Sequence, residues 1–385
     1  MQGKRTAITG IACILPWGKN LDDGYANFSK NNHCQSLKRL TSDKFGEKPV
    51  GLVPDHYFNG SLTPKERNKT DRVSMLVQSV VEQCIESAGI TGDKEELRNT
   101  GIISGSGFGC TDSYNRFAQP VYEKRYQEVD PTRFPMGSHN YPISISAIKY
   151  GLFGPINSLV LSMSAGLSAL CFAHNLISLA RAKRIIVVGF DEITPFVYAH
   201  LDSCGALGSA ENNHGETIPF EGCSAIVIEG FEEAEAREAR IFGEIAGYYM
   251  AYSSLQGVDP VKIASNIKNL YGKIKGVKNS DCLFLSNGSG LDNEDELEAT
   301  ALNTLQKEGY PLKTRLVLKP LLGNFLGASG MTELVFTLNM LNAGDRHLIH
   351  RLCPTRDNMQ MDIIINNFAR GSNLVGVAIT NINTA

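Results

Sequence analysis

The segment NSLVLSMSAGLSALCFAHNLISLARA, residues 157–182, carries the pattern that decides the fold of this chain. A strand-like apolar run leads into the small residues SMSAG, and a long apolar helix follows. The segment RLVLKPLLGNFLGASGMTELVFTLNMLNAG, residues 315–344, repeats the same order of strand, tight turn and apolar helix. A strand–turn–helix unit that occurs twice predicts a chain built from two similar halves.

The neighbouring segments repeat in the same way. GIISGSGFG in the first half has a counterpart in CLFLSNGSG, and SAIVIEGF has one in NLVGVAITNI. RTAITGIACI, GIISGSG, NSLVLSM, RIIVVGF and SAIVIEGF read as strands that are mostly buried on both faces. Apolar residues at helical spacing predict helices over 71–88 and 165–182. This alternation predicts a layered α/β protein with mostly parallel strands.

The two halves are expected to cover residues 1–238 and 239–385 and to meet near the charged segment EEAEAREAR. No flexible linker separates them, so we expect them to pack as one structural unit.

Composition limits the classes of function. The chain has 385 residues, 42% of them apolar and 20% charged, which is ordinary for a globular protein. The net charge of −3, without clustered Lys and Arg, argues against nucleic acid or an anionic membrane as the partner. No stretch reaches the roughly 20 apolar residues that a membrane span requires. The nine cysteines are scattered without a C-x-x-C motif, so we expect reduced thiols in a cytoplasmic protein. We expect no metal or other cofactor.

The turn within LSMSAGLSAL, residues 161–170, is the best candidate for chemistry. Small residues let the chain turn sharply and present a side chain at the N-terminus of the following helix. Unpaired N–H groups and the helix dipole stabilise negative charge there, which suits a nucleophile. Ser164 occupies that place.

Taken in order, the motifs resemble those of the β-ketoacyl-acyl-carrier-protein synthases of the thiolase-like superfamily. TAITGIACILPWG is similar to the family's first strand, TDRVSMLVQSVVEQCIESAGI to its Asp-Arg helix, and GIISGSGFG to its glycine-rich strand end. GPINSLVLSMSAG resembles the nucleophile segment, and IPFEGCSAIVIEGFEEAEAR the following strand, with a shortened loop before it. The resemblance covers essentially the whole chain. It implies a thiolase-like five-layer α-β-α-β-α sandwich made from two duplicated halves.

The residues that such enzymes use for catalysis are not retained. The family's acyl-carrying Cys corresponds to Ser164, and its two His residues correspond to Asn287 in SNGSG and Asn324 in GNFLGASG. Lys319 matches the family's active-site lysine. At the family's phenylalanine gate, NNFARGSN keeps Phe368 but places Arg370 at the second Phe position.

These substitutions remove acid–base capacity. An alcohol is a far weaker acid than a thiol and needs a neighbouring base, and neither carboxamide can accept its proton. The resemblance therefore implies a non-catalytic, chain-length-factor-type subunit that forms a heterodimer with an active ketosynthase. Its partners would be that subunit, an acyl carrier protein and the acyl or polyene chain, with no nucleic acid. Degenerate subunits of this compact size resemble those of aryl polyene pathways.

The loop PTRFPMGSHNYP precedes the nucleophile strand and, by the same resemblance, reaches toward the partner's acyl pocket. The candidate tunnel residues share that loop or the gate, and they are Phe134, Met136, Gly137, Ser138, His139, Phe368 and Arg370.

Several alternatives remain open at this stage. The chain could be a Ser164-dependent acyltransferase, a weakly active ketosynthase, or a homodimeric acyl-binding module. SMSAG partly matches a hydrolase nucleophile elbow, and GSGFG partly matches a dinucleotide fingerprint. Cys171 could be a displaced nucleophile or a buried core thiol.

Two further patterns have ordinary explanations. His347 and His350 form an H-x-x-H without a third ligand nearby, and we expect them in a surface loop. The acidic segments 232–238 and 292–298 are expected to be solvated helix faces rather than a metal site.

Overall fold

The computed structural model describes residues 4–30, 37–42, 46–58, 63–64, 70–207, 218–252, 259–273, 282–290, 292–310, 312, 314–352, 361–368 and 373–381. Within these residues the strands, in chain order, are β1 Thr6–Ile14, β2 Leu37–Ser42, β3 Gly46–Gly51, β4 Thr100–Ser106, β5 Ile156–Val160, β6 Arg184–Asp191, β7 Gly222–Gly230, β8 Gly243–Tyr252, β9 Cys282–Leu285, β10 Thr314–Leu316, β11 Asp362–Phe368 and β12 Asn373–Thr380.

The helices of the same residues are α1 Leu21–Ser29, α2 Arg72–Ser87, α3 Lys94–Arg98, α4 Thr111–Tyr122, α5 Arg133–Met136, α6 Tyr141–Tyr150, α7 Ala165–Ser178, α8 Pro195–Ser203, α9 Phe231–Ala236, α10 Pro260–Lys273, α11 Asp292–Lys307, α12 Lys319–Leu322, α13 Ser329–Ala343 and α14 Arg346–Leu352. Short 3-10 turns, Ser162–Ser164 and Leu326–Ala328, lead directly into α7 and α13.

The large strands form two five-stranded units with the same internal order. The first runs β5-β4-β6-β7-β1 and the second β10-β9-β11-β12-β8. They meet where β1 pairs with β8, through Ala7 opposite Glu244 and Ile8 opposite Gly243. In each unit the strand that comes first in the chain pairs with the strand that comes last, β1 with β7 and β8 with β12. This common order matches the repeat in the sequence.

The strand directions are mixed, so the expectation of mostly parallel strands is wrong. β4 is parallel to β5 and β6, and β9 is parallel to β10 and β11. The pairings of β1, β7, β8 and β12 are antiparallel. Helices cover both faces of the central strands, and a strand buried on both faces reads as a continuous apolar run in either direction.

Three apolar clusters define the layers. One cluster joins α2 and α6 to the first five-stranded unit, and one joins α10 and α11 to the second. The largest cluster holds α7 and α13 between the two units. The order is therefore helix, sheet, helix, sheet, helix. This confirms the five-layer α/β sandwich.

Local sequence explains several elements. Asp71 caps α2, because its side chain accepts a hydrogen bond from Ser74 N, and the apolar stripe of that helix is buried. The central helix α7 ends at Ser178, four residues before the predicted end. Leu179 is 67% exposed and Ala180 takes a positive φ of 54°, so the chain turns away from the core there.

Two expectations about exposure are corrected by the structure. The run that forms β5 was predicted to be buried on both faces, but β5 is the edge strand of its sheet and is largely exposed. An edge strand lacks a neighbour on one side, which a hydrophobic pattern cannot reveal. His347 and His350 lie on the helix α14 rather than in a loop, and both are exposed.

The predicted boundary between the halves, after residue 238, falls between α9 and β8. The division at that residue stays a prediction. Among the described residues, no helix combines the length and the apolar character needed to cross a bilayer.

Candidate functional site

A cavity of about 200 Å³ opens beside the turn that precedes α7. Asn287, Lys319, Asn324 and Phe368, all predicted from the sequence, line it together with Ser162 and Met163. Phe108, His200 and Cys204 also line it. Segments distant in the chain therefore meet in one place, as the duplicated fold requires.

The turn presents different side chains from the one expected. Ser164 is fully buried and donates its hydroxyl hydrogen bond to the backbone oxygen of Leu161, at 3.0 Å. Ser162 and Met163 line the cavity instead. Ser162 has a positive φ of 52°, and the 3-10 turn it begins carries Ser164 into the interior. Ser164 thus stabilises the turn, and its side chain does not line the cavity.

Asp191 fixes the glycine-rich turn after β4 against the turn before α13. Its Oδ1 accepts hydrogen bonds from Ser106 Oγ at 2.7 Å and Phe108 N at 2.9 Å. Its Oδ2 accepts from Gly107 N at 2.9 Å and Gly327 N at 2.7 Å. Burial raises the pKa of Asp191 to about 6, while these hydrogen bonds oppose the rise. The amides that a dinucleotide phosphate would need are therefore occupied, and the dinucleotide interpretation of GSGFG is not supported.

Asn287 follows β9 and is held on three sides. Its backbone N donates to Glu298 Oε1 at 3.0 Å, and its Oδ1 accepts from Phe368 N at 3.3 Å. Lys319 Nζ donates to the backbone oxygen of Asn287 and lies 3.4 Å from Oδ1. The amide oxygen is thus used inside the protein, and Nδ2 is the group left for a ligand.

Asn324 is arranged in the same way. Its Oδ1 accepts hydrogen bonds from Leu326 N at 3.0 Å and from Ser329 Oγ at 3.1 Å. The side chain therefore also offers its Nδ2 donor toward the cavity that it lines. Two amide donors can polarise a carbonyl group, but they cannot take a proton from a nucleophile.

Lys319 is the cationic member of a buried ion pair. Its side chain is 6% exposed, and Nζ lies 3.2 Å from Glu333 Oε1. Burial raises the pKa of Glu333, and the Lys319 charge opposes that rise. An ammonium group held by a carboxylate and by Asn287 is not available as a general base.

Glu298 on α11 accepts a hydrogen bond from the backbone of Asn287, a residue of the cavity wall. Its burial contradicts the prediction that this acidic segment is a solvated helix face. It is fully buried, and besides Asn287 N it binds Ser286 Oγ and Asn366 Nδ2. The sequence did contain the signal. Glu298 lies three, four and seven residues before Ala301, Leu302 and Leu305, the buried stripe of α11. Extending that stripe by one turn would have placed Glu298 in the interior.

The predicted tunnel loop lies outside the cavity of its own chain. Phe134 on α5 is 66% exposed, and its ring centroid lies 5.3 Å from that of Phe117. His139 packs against Gly109, and burial lowers its pKa. The remaining loop residues Met136, Gly137 and Ser138 are not among those that line the cavity. Phe368 does line it, and Arg370 lies outside the described residues.

Two alternatives can be judged from placement. Cys171 is buried in the central cluster, where burial raises its thiol pKa, so it is a core residue rather than a displaced nucleophile. Within the part of the chain that is described, no group of three His, Cys, Asp or Glu side chains could hold a metal ion.

Comparison with known proteins agrees with the architecture. Residues 4–234 match the family model "Beta-ketoacyl synthase, N-terminal domain". The chain is 26% identical over 357 residues to 3-oxoacyl-[acyl-carrier-protein] synthase 2 of Synechocystis sp., covering 88% of this chain and 85% of that protein. It is 24% identical over 359 residues to the protein of the same name from Rhizobium meliloti, covering 87% and 85%.

Solved structures show the same fold. A β-ketoacyl synthase from Burkholderia phymatum superposes with a TM-score of 0.85 at 20% identity, covering 99% of this chain and all of that one. The ishigamide ketosynthase/chain length factor gives a TM-score of 0.82 at 17% identity, with coverage of 99% and 100%. The match to the family model extends over more than half of the residues, and the chain therefore belongs to the β-ketoacyl synthase family.

Proposed function

We propose that this chain is the non-condensing, chain-length-factor-type subunit of a β-ketoacyl synthase heterodimer. The observation that carries the proposal is the composition of the cavity wall at the start of α7. At this turn the lining residues are Ser162 and Met163, neither of which carries a thiol, and Asn287 and Asn324 supply amides where the resemblance places imidazoles.

The chemistry of that wall favours binding over turnover. A thioether cannot form a thioester, and a hydroxyl needs a base to attack one. Lys319 is paired with Glu333, and the two Asn side chains offer donors only. The wall can hold and polarise an acyl carbonyl, which suits a subunit that shapes the path of a chain made by its partner.

The surface around β5 supports a partner subunit. β5 is an edge strand, and Ile156 and Val160 on it are 45% and 47% exposed. Phe134 on the nearby tunnel loop is 66% exposed. An exposed apolar edge strand is a template for pairing with another chain, and apolar aromatic anchors are typical of stable interfaces. We infer that this face covers the catalytic ketosynthase and directs Phe134 toward its acyl pocket.

The remaining partners follow from the proposed role. An acyl carrier protein would deliver the growing chain to the catalytic subunit, and the acyl or polyene chain would occupy the shared tunnel. The aryl polyene assignment stays a prediction from the resemblance. A neighbouring gene for a ketosynthase with Cys and two His would support the heterodimer, and the product of that pair would identify the pathway.

The first experiment is co-expression with such a ketosynthase, followed by size-exclusion chromatography and an acyl-extension assay. We expect a stable one-to-one complex that is active only through the partner. A chain that is monodisperse alone and extends acyl thioesters unaided would refute the proposal.

Phe134→Ala tests the interface directly. Loss of a buried ring at an interface costs about 2 kcal/mol, so the complex should weaken by roughly thirtyfold. Val261→Ala is the matched control, because Val261 is 77% exposed on α10 in the other half. Equal affinity of both variants for the partner would place the interface elsewhere.

A further inference from the structure

The lining of the cavity includes a thiol and an imidazole that the proposed function leaves unused. His200 lies on α8. Cys204 is four residues, about one helical turn, after His200 and directly follows the last residue of that helix. Cys204 Sγ lies 3.8 Å from His200 Nε2, and both side chains line the cavity that Asn287 and Asn324 also line. We propose that Cys204 is an acyl-acceptor site, which takes the acyl group of a thioester bound in this cavity with His200 as its base.

Exposure separates Cys204 from the other thiols. Among the cysteines in the described residues, Cys204 is exposed and the others are buried. Burial raises the thiol pKa of those six, and a thiol in the core cannot reach an electrophile. The buried set consists of Cys13, Cys84, Cys110, Cys171, Cys223 and Cys282.

The fold positions His200 to accept a proton. The edge of its ring packs against Phe108, with centroids 5.7 Å apart and planes at 70°. The helix is anchored at its other end by Thr194, whose side chain accepts a hydrogen bond from Val197 N. His200 lies in the last turn of α8, and its Nε2 is the ring atom that lies near Cys204 Sγ.

The step is a transthioesterification and balances without a co-reactant. His200 takes the proton from Cys204 Sγ, and the sulfur attacks the thioester carbonyl carbon. Asn287 and Asn324 line the same cavity, and their Nδ2 groups can donate hydrogen bonds to the oxyanion. The bond from carbon to the departing sulfur then breaks, and the leaving thiol receives the proton from His200. The acyl group is left on Cys204 as a new thioester.

The inference rests on the proposed function only in its choice of an acyl thioester as the ligand. The heterodimer is tested by complex formation and by extension activity, whereas acylation of Cys204 is read from the mass of this chain alone. Either can therefore fail without the other.

The test uses the full-length chain with S-octanoyl-N-acetylcysteamine as the probe. We expect a mass increase of one octanoyl group, released by neutral hydroxylamine as a thioester is, and assigned to Cys204 by peptide mapping. Cys204→Ser should lose the hydroxylamine-labile adduct. Absence of an adduct on the wild-type chain, or an adduct that maps to another residue, would overturn the proposal.

A second measurement isolates the role of His200. The rate of iodoacetamide alkylation at Cys204 is followed against pH in the wild type and in His200→Gln. Because His200 is the proposed base for Cys204, the variant should react about tenfold more slowly near neutral pH. His347→Gln, a change of an exposed histidine on α14, is the matched control and should match the wild type. Identical profiles for His200→Gln and wild type would remove His200 from the step.

Discussion

Replacing Asp191 with Asn tests whether this side chain holds the two turns of the site together. The carboxylate is fully buried and accepts four hydrogen bonds, two on each oxygen. An Asn side chain keeps one acceptor oxygen, but its NH2 group must then point at two donors. Whichever way the amide is turned, one pair of hydrogen bonds is lost. The pairs are Ser106 Oγ with Phe108 N, and Gly107 N with Gly327 N.

The expected loss can be worked from those contacts. Two hydrogen bonds to a charged acceptor contribute roughly 3–6 kcal/mol in total. The variant also avoids burying a charge. Burial raises the pKa of Asp191 even against these hydrogen bonds, so that saving offsets part of the loss. We therefore expect Asp191→Asn to lower the free energy of unfolding by about 2 kcal/mol at pH 7.5.

Urea unfolding followed by circular dichroism measures the change. Asp202→Asn is the control, because Asp202 is an exposed aspartate on the neighbouring helix α8 and its replacement should alter stability by less than about 0.5 kcal/mol. An Asp191→Asn protein as stable as this control would show that the two turns hold their positions without the carboxylate.

Three other changes follow from buried ionisable groups. Burial raises the pKa of Glu192 to about 8, so the folded state binds more protons than the unfolded state and stability falls as pH rises from about 4.5 to 8. Glu192→Gln should remove that slope and be more stable than wild type by about 2–4 kcal/mol at pH 8.5 but not at pH 5, in urea unfolding at both. Lys319→Met should cost about 3 kcal/mol by leaving Glu333 unpaired, and adding Glu333→Gln should recover part of it in thermal unfolding. Glu298→Ala should lower the melting temperature by several degrees, because it leaves Asn287 N and Ser286 Oγ without their acceptor.

The repeat in the sequence predicted two similar α/β halves, and the resemblance to the family implied the five layers. Burial of an apolar helix between two sheets leaves a strong pattern, and α7 and α13 both carry it at the same place in their halves. Strand direction left no such trace, because helices on both faces make parallel and antiparallel strands equally apolar. The exposure of β5 was missed for a related reason, since being at an edge depends on which strand lies beside it.

The site was predictable to the level of the segment but not of the side chain. Asn287, Asn324, Lys319 and Phe368 do line the cavity. Ser164 does not, because a positive φ at Ser162 shifts which residue of the turn faces outward. A sequence pattern places a turn, whereas the orientation of each residue within it depends on backbone angles that non-glycine residues seldom adopt.

His200 and Cys204 were missed for a different reason. They come to the cavity through the packing of α8 beside the glycine-rich turn, where Phe108 contacts the His200 ring. Their spacing of four residues on a helix was readable, but nothing local indicates that this helix end meets residues more than eighty positions away in either direction. Such a contact follows from tertiary structure alone.

The buried ionisable side chains around the cavity have a role in folding. Asp191 ties two turns, Glu298 holds Asn287 in place, and Lys319 neutralises Glu333 in the interior. Removing any of them would leave a buried donor or charge without its partner, at a cost of about 1–5 kcal/mol, which is a large part of the stability of a domain. A catalytic thiol or imidazole that faces a cavity carries no comparable cost when it is replaced by a residue of similar size. The residues that face the cavity can therefore change while the wall behind them stays folded.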